Sequence, residues 1–194
     1  MIRMAGILLM FFAARIPVQA EILVKNFDMA EIGEHGFPAE WRISHPFHLE
    51  RNDTTVSREM ITEGQNAFPV LRIIKPTPND NVALGAQDID IPDGTRALYI
   101  QTRMRARNVK HGTKFWHAPG VGVSFLFGEG RARSGNIDQW IKAPEGDSDW
   151  TLYETTIEVH DNASKASIAV VAHEWSGILD IDWILVRAIS SNED

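Results

Sequence analysis

Residues Lys165–Ile189 read K-A-S-I-A-V-V-A-H-E-W-S-G-I-L-D-I-D-W-I-L-V-R-A-I, and this stretch decides the fold class. It holds two apolar, β-branched segments, Ala166–Ala172 and Ile178–Ile189, joined by a short connection that contains glycine. Strand-like composition on both sides of such a connection predicts a β-hairpin. The second segment also carries Asp180 and Asp182, where the pattern otherwise asks for apolar side chains. Because a buried carboxylate is costly unless it is paired or bound to a cation, both are expected to have a partner.

The rest of the chain repeats this strand-like pattern between turn signals. Proline with Asn, Asp or Gly ends apolar runs, as in Lys75–Asn81 and Pro92–Gly94. The other predicted strands are Thr54–Ile61, Phe68–Ile74, Val82–Ile91, Thr95–Val109, Val121–Phe127, Gln139–Lys142 and Trp150–Val159. Turn signals at intervals of roughly ten residues, with no convincing helix, are typical of an all-β domain. We expect one β-sandwich of the jelly-roll type over residues 21–194, with about eight to ten strands.

The first twenty residues are predicted to be a signal peptide. Arg3 supplies an early positive charge, Met4–Ala14 is an apolar run, and the small residues Val18 and Ala20 flank Gln19 as at a signal-peptidase site. Cleavage after Ala20 would give a secreted or periplasmic protein. A buried N-terminal helix is the alternative. No later apolar run approaches membrane length, so no membrane span is expected after cleavage.

Composition excludes several functional classes. The formal net charge is −7, and removing Arg3 and Arg15 with the first twenty residues makes it −7 − 2 = −9, because that segment contains no acidic residue. A chain this acidic is a poor candidate for nucleic-acid binding, which needs a basic surface. It contains no cysteine, so neither disulfides nor a thiol nucleophile is available. The chain has no G-x-S-x-G or P-loop motif either, and its histidine spacings match no standard zinc site.

Three stretches carry a resemblance to a known family. Asn26–Asp28 is followed by the G-x-P-x-x-W-like loop Gly36–Trp41, Asp149–Glu154 contains W-x-x-Y, and Gly177–Ile184 ends in alternating acidic and apolar residues. Together they resemble the galactose-binding-like jelly roll of secreted carbohydrate-binding modules that accompany glycoside hydrolases. The chain departs from that pattern at Trp183, which stands where the family has a second closing Asp.

The resemblance also implies a metal site. In this fold a structural Ca²⁺ commonly ties the N-terminal segment to the last strand, and the matching positions here are Asp28 and Asp182. Carboxylate oxygens are ligands that Ca²⁺ prefers. The alternative is that Asp180 or Asp182 caps a loop or pairs with an arginine.

The longest alternating strand predicts where a ligand binds. Leu98, Ile100, Thr102, Met104 and Ala106 fall on one face of Thr95–Val109, and Tyr99, Gln101, Arg103, Arg105 and Arg107 fall on the other. An aromatic ring, an amide and guanidinium groups in one row suit a sugar, and arginine suits a uronate or a sulfated glycan. The alternative is a solvated face whose arginines pair with the abundant carboxylates.

The six tryptophans divide by sequence context. Trp41 and Trp150 are interpreted as framework residues, and Trp183 lies within a strand. Trp116, Trp140 and Trp175 lie near loops and are predicted to offer rings on which a sugar stacks. The alternative for these three is packing within the loops.

The expected function is therefore non-catalytic binding of a polysaccharide or glycan, with no nucleic-acid partner and with the structural Ca²⁺ that the resemblance implies. One alternative is a small jelly-roll lyase acting on acidic polysaccharide, with Tyr99, Gln101 and Arg103 joined by His117 or His173. A hydrolase would instead need two facing carboxylates, for which Glu129 and Glu174 are the candidates. A third alternative is a cell-surface adhesion or scaffold domain without a sugar site.

Overall fold

The computed structural model describes residues 21–42, 53–78, 82–114, 117–127, 132–133, 139–172 and 174–190, with side chains at all of these except 35, 82–85, 132–133 and 172. The predicted signal peptide, residues 1–20, lies outside the described residues, so its prediction stays a prediction. Across the described ranges, no helix has both the length and the apolar character needed to span a membrane.

The described part of the chain is almost entirely β-structure, which confirms the predicted class. A single 3₁₀ turn, Glu34–Gly36, precedes ten strands. The strands are β1 (Thr55–Glu63), β2 (Asn66–Lys75), β3 (Val82–Asp90), β4 (Thr95–Lys110), β5 (Pro119–Phe127), β6 (Ala132–Arg133), β7 (Gln139–Lys142), β8 (Gly146–Glu158), β9 (Ala163–Ala172) and β10 (Ser176–Ser190). The predicted turn at Pro92–Gly94 is present, with Gly94 at φ 78° and the Thr95 amide donating to the Pro92 carbonyl at 3.2 Å.

The strands form two sheets whose pairings are all antiparallel. The first sheet has five strands in the order β1-β2-β10-β4-β8. The second has the order β3-β9-β5-β6, and β7 also pairs with β5. Apolar side chains from both sheets pack into one core, which includes Leu98, Ile100 and Met104 of β4 and Val123 and Phe125 of β5. The architecture is therefore a β-sandwich.

The predicted hairpin between β9 and β10 is wrong. In the described part of the chain β9 pairs with β3 and β5, whereas β10 pairs with β2 and β4 in the other sheet. The connection crosses from one sheet to the other, and Trp175 within it is completely buried in the core. Both strands are apolar because each contributes one face to the same core. Gly177, the second residue of β10, has φ 124°, and a Cβ there would meet the Asn108 carbonyl oxygen at 2.7 Å.

A β-bulge at Asp182 changes the alternation of β10. Ile181 pairs with Met104 and Trp183 with Arg103, so Asp182 is the extra residue. Beyond the bulge, the free edge of β10 is taken by the N-terminal segment. Ile184 donates to the Phe27 carbonyl at 2.9 Å, and the Leu23 amide donates to the Val186 carbonyl at 2.9 Å. Backbone hydrogen bonds thus join the N-terminal segment to the last strand.

Candidate functional site

The candidate site is the side of the first sheet, β1-β2-β10-β4-β8, that points away from the core, here called the outer face. On β4 the residues Leu98, Ile100, Thr102, Met104 and Ala106 are buried, as predicted for the core-facing set. The alternate residues Tyr99, Gln101, Arg103, Arg105 and Arg107 are half-buried and form the predicted row on the outer face. Strand periodicity alone was sufficient to place this row.

Asp180 lies in the middle of the outer face, and its carboxylate is fully buried beneath three arginines. Arg72 donates from Nε to Oδ1 at 2.6 Å and from Nη2 to Oδ2 at 3.1 Å. Arg105 donates to Oδ2 from Nε at 3.2 Å and from Nη2 at 2.9 Å, and Arg107 reaches the same oxygen at 3.1 Å. Burial alone would raise the pKa of Asp180, but the hydrogen bonds and charges of Arg72 and Arg105 hold that pKa below its usual value.

Further carboxylates complete the network around these arginines. Arg72 pairs with Glu59 at 2.5 Å, Arg105 with Glu63 at 2.9 Å and Arg103 with Asp182 at 2.8 Å. The four arginines 72, 103, 105 and 107 thus face four carboxylates, those of Glu59, Glu63, Asp180 and Asp182. The row on β4 is therefore not a free cationic surface, because Arg103, Arg105 and Arg107 are paired with carboxylates. The predicted part of Arg103 and Arg105 in ligand binding stays a prediction.

Two aromatic rings lie against the same arginines. Phe68 of β2 and Trp150 of β8 meet edge to face, with 5.6 Å between their ring centroids. The Arg103 guanidinium carbon lies 4.9 Å from the Trp150 ring centroid and 5.5 Å from that of Phe68, and the Arg105 guanidinium carbon lies 4.5 Å from that of Trp150. The Trp150 indole N–H donates to Glu63. Rings held beside guanidinium groups form an amphipathic surface that suits the mixed polar and apolar faces of a sugar.

Sequence reasoning missed this part of the face. It interpreted Trp150 as framework, and it gave Phe68 and Arg72 no role. The available signal was the strand period: Trp150 shares a face of β8 with Leu152 and Glu154, which lie opposite Arg103 and Gln101. Arg72 was also visible as the single charged residue inside the apolar run Phe68–Ile74.

Asp182 occupies a less favourable electrostatic position than Asp180. Burial raises the pKa of Asp182; the hydrogen bond and charge of Arg103 act against this, while the negative charges of Glu63 and Asp28 raise it further. Asp28 is thus near enough for its charge to reach Asp182. Its own carboxylate accepts a hydrogen bond from the Ala30 amide at 3.3 Å.

The predicted Ca²⁺ ligands Asp28 and Asp182 do not assemble a cation site by themselves. Asp182 is bound by Arg103 and Asp28 by a backbone amide. Among the described residues, no group of three or more acidic, histidine or cysteine side chains comes together to hold a metal. Ca²⁺ takes about six to eight oxygen ligands. The calcium site stays a prediction drawn from the resemblance, and the arrangement of these two side chains fits protein partners better.

Tyr99 and Gln101 form a separate polar group at the other end of the row. The Tyr99 hydroxyl donates to Glu154 at 2.5 Å, and the Gln101 amide lies 3.1 Å from that hydroxyl and 3.3 Å from Glu154. Burial, the hydrogen bond to Glu154 and the charge of Glu154 raise the pKa of Tyr99 to about 12, against the opposing charge of Arg187. Tyr99 therefore stays protonated at neutral pH.

The three tryptophans predicted to stack on sugar have different outcomes. Trp175 is fully buried in the core, so its prediction as a ligand-binding ring is wrong. Its connection crosses between the sheets, which places the ring in the core. Trp116 lies outside the described residues. Trp140 is half-buried on β7 in the second sheet, with the Lys142 ammonium 5.7 Å from its ring centroid, so it does not share the outer face.

Of the two histidines considered for a lyase, His117 lies far from Tyr99, Gln101 and Arg103. His117 is buried beside Glu174, 3.1 Å from its carboxylate, and it contacts the backbone at Gly112, beyond the end of β4. Tyr99 lies eleven residues before Lys110 on the same strand, which is roughly 35 Å at the usual rise per residue. His173 and Glu129 lie outside the described residues. Tyr99 and His117 therefore cannot act on one substrate bond.

A cavity that sequence reasoning missed lies between the N-terminal loop and β3. It has a volume of about 660 Å³, and it shares no lining residue with the outer face. Its walls include Phe37, Trp41 and Gln87, and Arg42 pairs across it with Asp88 at 2.8 Å. Gln87 is held in place by the Lys25 backbone, accepting from its amide at 2.7 Å.

The two sheets and their strand order form a jelly-roll β-sandwich, a fold that this chain shares with solved structures of carbohydrate-binding modules. The CBM4 structure is 15% identical to this chain and has a TM-score of 0.54. The match covers 84% of this chain and 98% of the CBM4 chain. The CBM22-1 xylan-binding domain of Xyn10C from Paenibacillus barcinonensis is 10% identical, with coverages of 89% and 97% and a TM-score of 0.50.

Enzymes also contain this fold. The enzymatically active domain of tailspike protein 4 from bacteriophage CBA120 is 15% identical over 87% of this chain, with a TM-score of 0.59. This chain spans only 21% of the tailspike chain. No family model and no curated protein matches the sequence. At these identities the likeness establishes the fold.

Proposed function

We propose that the chain is a non-catalytic carbohydrate-binding module that binds a polysaccharide or glycan on its outer face. The observation that carries the proposal is the contact of Trp150 and Phe68 with Arg103 and Arg105 on the same sheet face as Tyr99 and Gln101. Rings and planar hydrogen-bonding groups in one line suit a chain of sugars. The fold shared with the CBM4 and CBM22-1 structures supports the same proposal.

The raised pKa of Tyr99 favours binding over catalysis. β-Elimination needs a base that is deprotonated near neutral pH, and a tyrosine with a pKa of about 12 is not. The distance between Tyr99 and His117 removes one of the two histidines considered for a lyase, and the other, His173, lies outside the described residues. A lyase or hydrolase is nevertheless an outcome that an assay distinguishes, because the fold is also found in enzymes.

The first test is affinity gel electrophoresis on soluble polysaccharides, with assays for reducing ends and unsaturated products run in parallel. We expect retardation without turnover on at least one glycan. Trp150→Ala should weaken that binding roughly thirtyfold, about 2 kcal/mol for loss of a central aromatic contact. Ile32→Ala, which shortens an exposed apolar side chain of the N-terminal loop, is the control and should leave binding unchanged.

Each contrary result has a definite meaning. Turnover of a polysaccharide would replace the proposal with the enzyme alternative. Retardation that Trp150→Ala leaves intact would move the site away from the outer face. No binding and no turnover on any glycan would favour the adhesion or scaffold alternative. The melting temperature of each variant must be measured beside the binding, because Trp150 also contacts Glu63 and Arg103.

The proposal includes export. Its support is the pattern of Arg3, the apolar run Met4–Ala14 and the small residues before position 21. Amino-terminal sequencing of the protein recovered outside the cytoplasm should start at Glu21. A recovered chain that still begins at Met1 would contradict cleavage.

The predicted Ca²⁺ site is tested by chelation. If Asp28 and Asp182 share an ion, EGTA should lower the Tm of the calcium-loaded chain by several degrees, because an ion that binds only the folded state stabilises it. Asp28→Asn should show no such response. An unchanged Tm on chelation would remove the site and leave Arg103 as the sole partner of Asp182.

A further inference from the structure

One arginine on the outer face, Arg187, has no carboxylate partner among the described residues, unlike the four arginines of the network. Arg187 lies on β10 directly opposite Tyr99 of β4. The arginines 72, 103, 105 and 107 each contact a carboxylate within 3.1 Å. In the described part of the chain Arg187 makes no ion pair, and its Nε atom is buried without a hydrogen-bond acceptor. Because no carboxylate among the described residues neutralises its charge, Arg187 is the arginine of this face where a ligand anion gains most.

The groups around Arg187 divide the hydrogen-bonding roles. Its charge reaches the Tyr99 hydroxyl, because it acts on the pKa of that group. Glu154 of β8 lies opposite Gln101, and its carboxylate already accepts from Tyr99 and Gln101. Arg187 thus offers donors to an anion, while Glu154 offers acceptor capacity to hydroxyl groups. The donor groups of Arg187 and the acceptor oxygens of Glu154 therefore lie on the same sheet face.

We propose that Arg187, Glu154 and Gln101 form a subsite for a hexuronate residue of the bound glycan. The sugar carboxylate accepts the guanidinium fork of Arg187, which matches a planar carboxylate in a bidentate way. Ring hydroxyls donate to Glu154 and accept from Gln101. A neutral sugar supplies no carboxylate to Arg187, and a simple anion supplies no sugar hydroxyl groups to Glu154. The subsite therefore recognises an acidic sugar as a whole.

This inference rests on the proposed function and changes its expected selectivity. Sequence reasoning assigned acidic-sugar recognition to Arg103 and Arg105. Since both are already neutralised by Asp182, Asp180 and Glu63, they add no net positive charge for a ligand. Selectivity for a carboxylate then depends on Arg187. It lies on β10 four residues after Trp183, the residue that is opposite Arg103.

The test is a nuclear magnetic resonance titration of the ¹⁵N-labelled chain, following the Arg187 Nε–H signal. The probes are D-glucuronate, D-glucose and acetate at equal ionic strength. We expect a saturable shift with glucuronate, no shift with glucose, and binding of acetate at least tenfold weaker. Arg187→Gln lacks that Nε–H signal, so its titration follows the backbone amide signals of Tyr99 and Gln101, and it should weaken glucuronate binding at least tenfold. Arg187→Lys keeps the positive charge but loses the planar guanidinium group, so it should retain only part of the wild-type affinity for glucuronate.

The control for charge is Lys110→Gln, which removes one positive charge from the far end of β4 and should leave glucuronate binding unchanged. No shift with glucuronate, or an equal response to acetate, would overturn the inference. If Trp150→Ala abolishes glycan retardation while Arg187→Gln affects acidic and neutral glycans equally, the proposed function stands and the uronate subsite fails. If no glycan binds at all, both fail.

Discussion

Asp180→Asn is expected to lower the free energy of unfolding by about 3–5 kcal/mol, the usual cost of removing one partner from a buried ionic network. The carboxylate is fully buried and accepts hydrogen bonds from Arg72, Arg105 and Arg107. An amide keeps the shape but cannot neutralise the guanidinium groups, of which Arg72 and Arg105 are themselves largely buried. Urea denaturation at pH 7 measures the loss as a lower midpoint at unchanged slope.

The matched control is Asp182→Asn, two residues further along the same strand. Asp182 has one arginine partner, and its pKa is raised because burial outweighs that partner. Removing its charge should therefore cost clearly less, about 1 kcal/mol or below. Equal losses for the two variants would show that Asp180 is not the centre of the network.

The pH dependence of the difference gives an independent check. Because the pKa of Asp180 is lowered in the folded state, its stabilisation is present above the unfolded value of about 3.9 and is lost as pH falls through the folded value. The gap between wild type and Asp180→Asn should shrink on acidification. Asp182 acts in the opposite sense, since its raised pKa favours folding at low pH and this advantage is lost as pH rises through the folded value.

The strands were predictable from the sequence because strand periodicity and turn chemistry are local. Thr95–Val109 alternates residue by residue, and β4 covers Thr95–Lys110 with the same two faces. The pairing of β9 and β10 was not predictable in this way. A short glycine-containing connection fits a hairpin and a crossing between sheets equally well, and the difference depends on Trp175 finding space in the core. That space is created by residues distant in sequence.

The candidate site was predictable as a row of residues but not as an electrostatic unit. The need of Asp180 for a partner follows from its apolar surroundings in the sequence. Its partner Arg72 lies 108 residues away, and nothing local connects the two. The bulge at Asp182 is equally invisible, since one extra residue shifts the alternation of everything after it. Because of these two features, the arginines of β4 form ion pairs with carboxylates and do not leave a row of uncompensated positive charge.

Trp175→Ala is expected to cost about 3–5 kcal/mol of unfolding free energy, the range for removing a buried large aromatic side chain. Trp175 is among the largest fully buried side chains, and it packs in the cluster shared by both sheets. Its indole N–H has no acceptor among the described residues. Trp175→Phe removes that unpaired donor, worth about 1–3 kcal/mol, and this gain offsets most of the lost packing.

The two substitutions at Trp175 therefore separate a packing role from a ligand role. Trp175→Ala should lower the free energy of unfolding sharply, Trp175→Phe should change it little, and the exposed Leu152→Ala should change it by less than about 0.5 kcal/mol. Well below the melting temperature, the folded fraction of both Trp175 variants should bind glycan as the wild type does. A phenylalanine as damaging as alanine would mean that the indole N–H is satisfied. Loss of glycan binding in a fully folded Trp175→Phe variant would show that the Trp175 ring takes part in ligand binding.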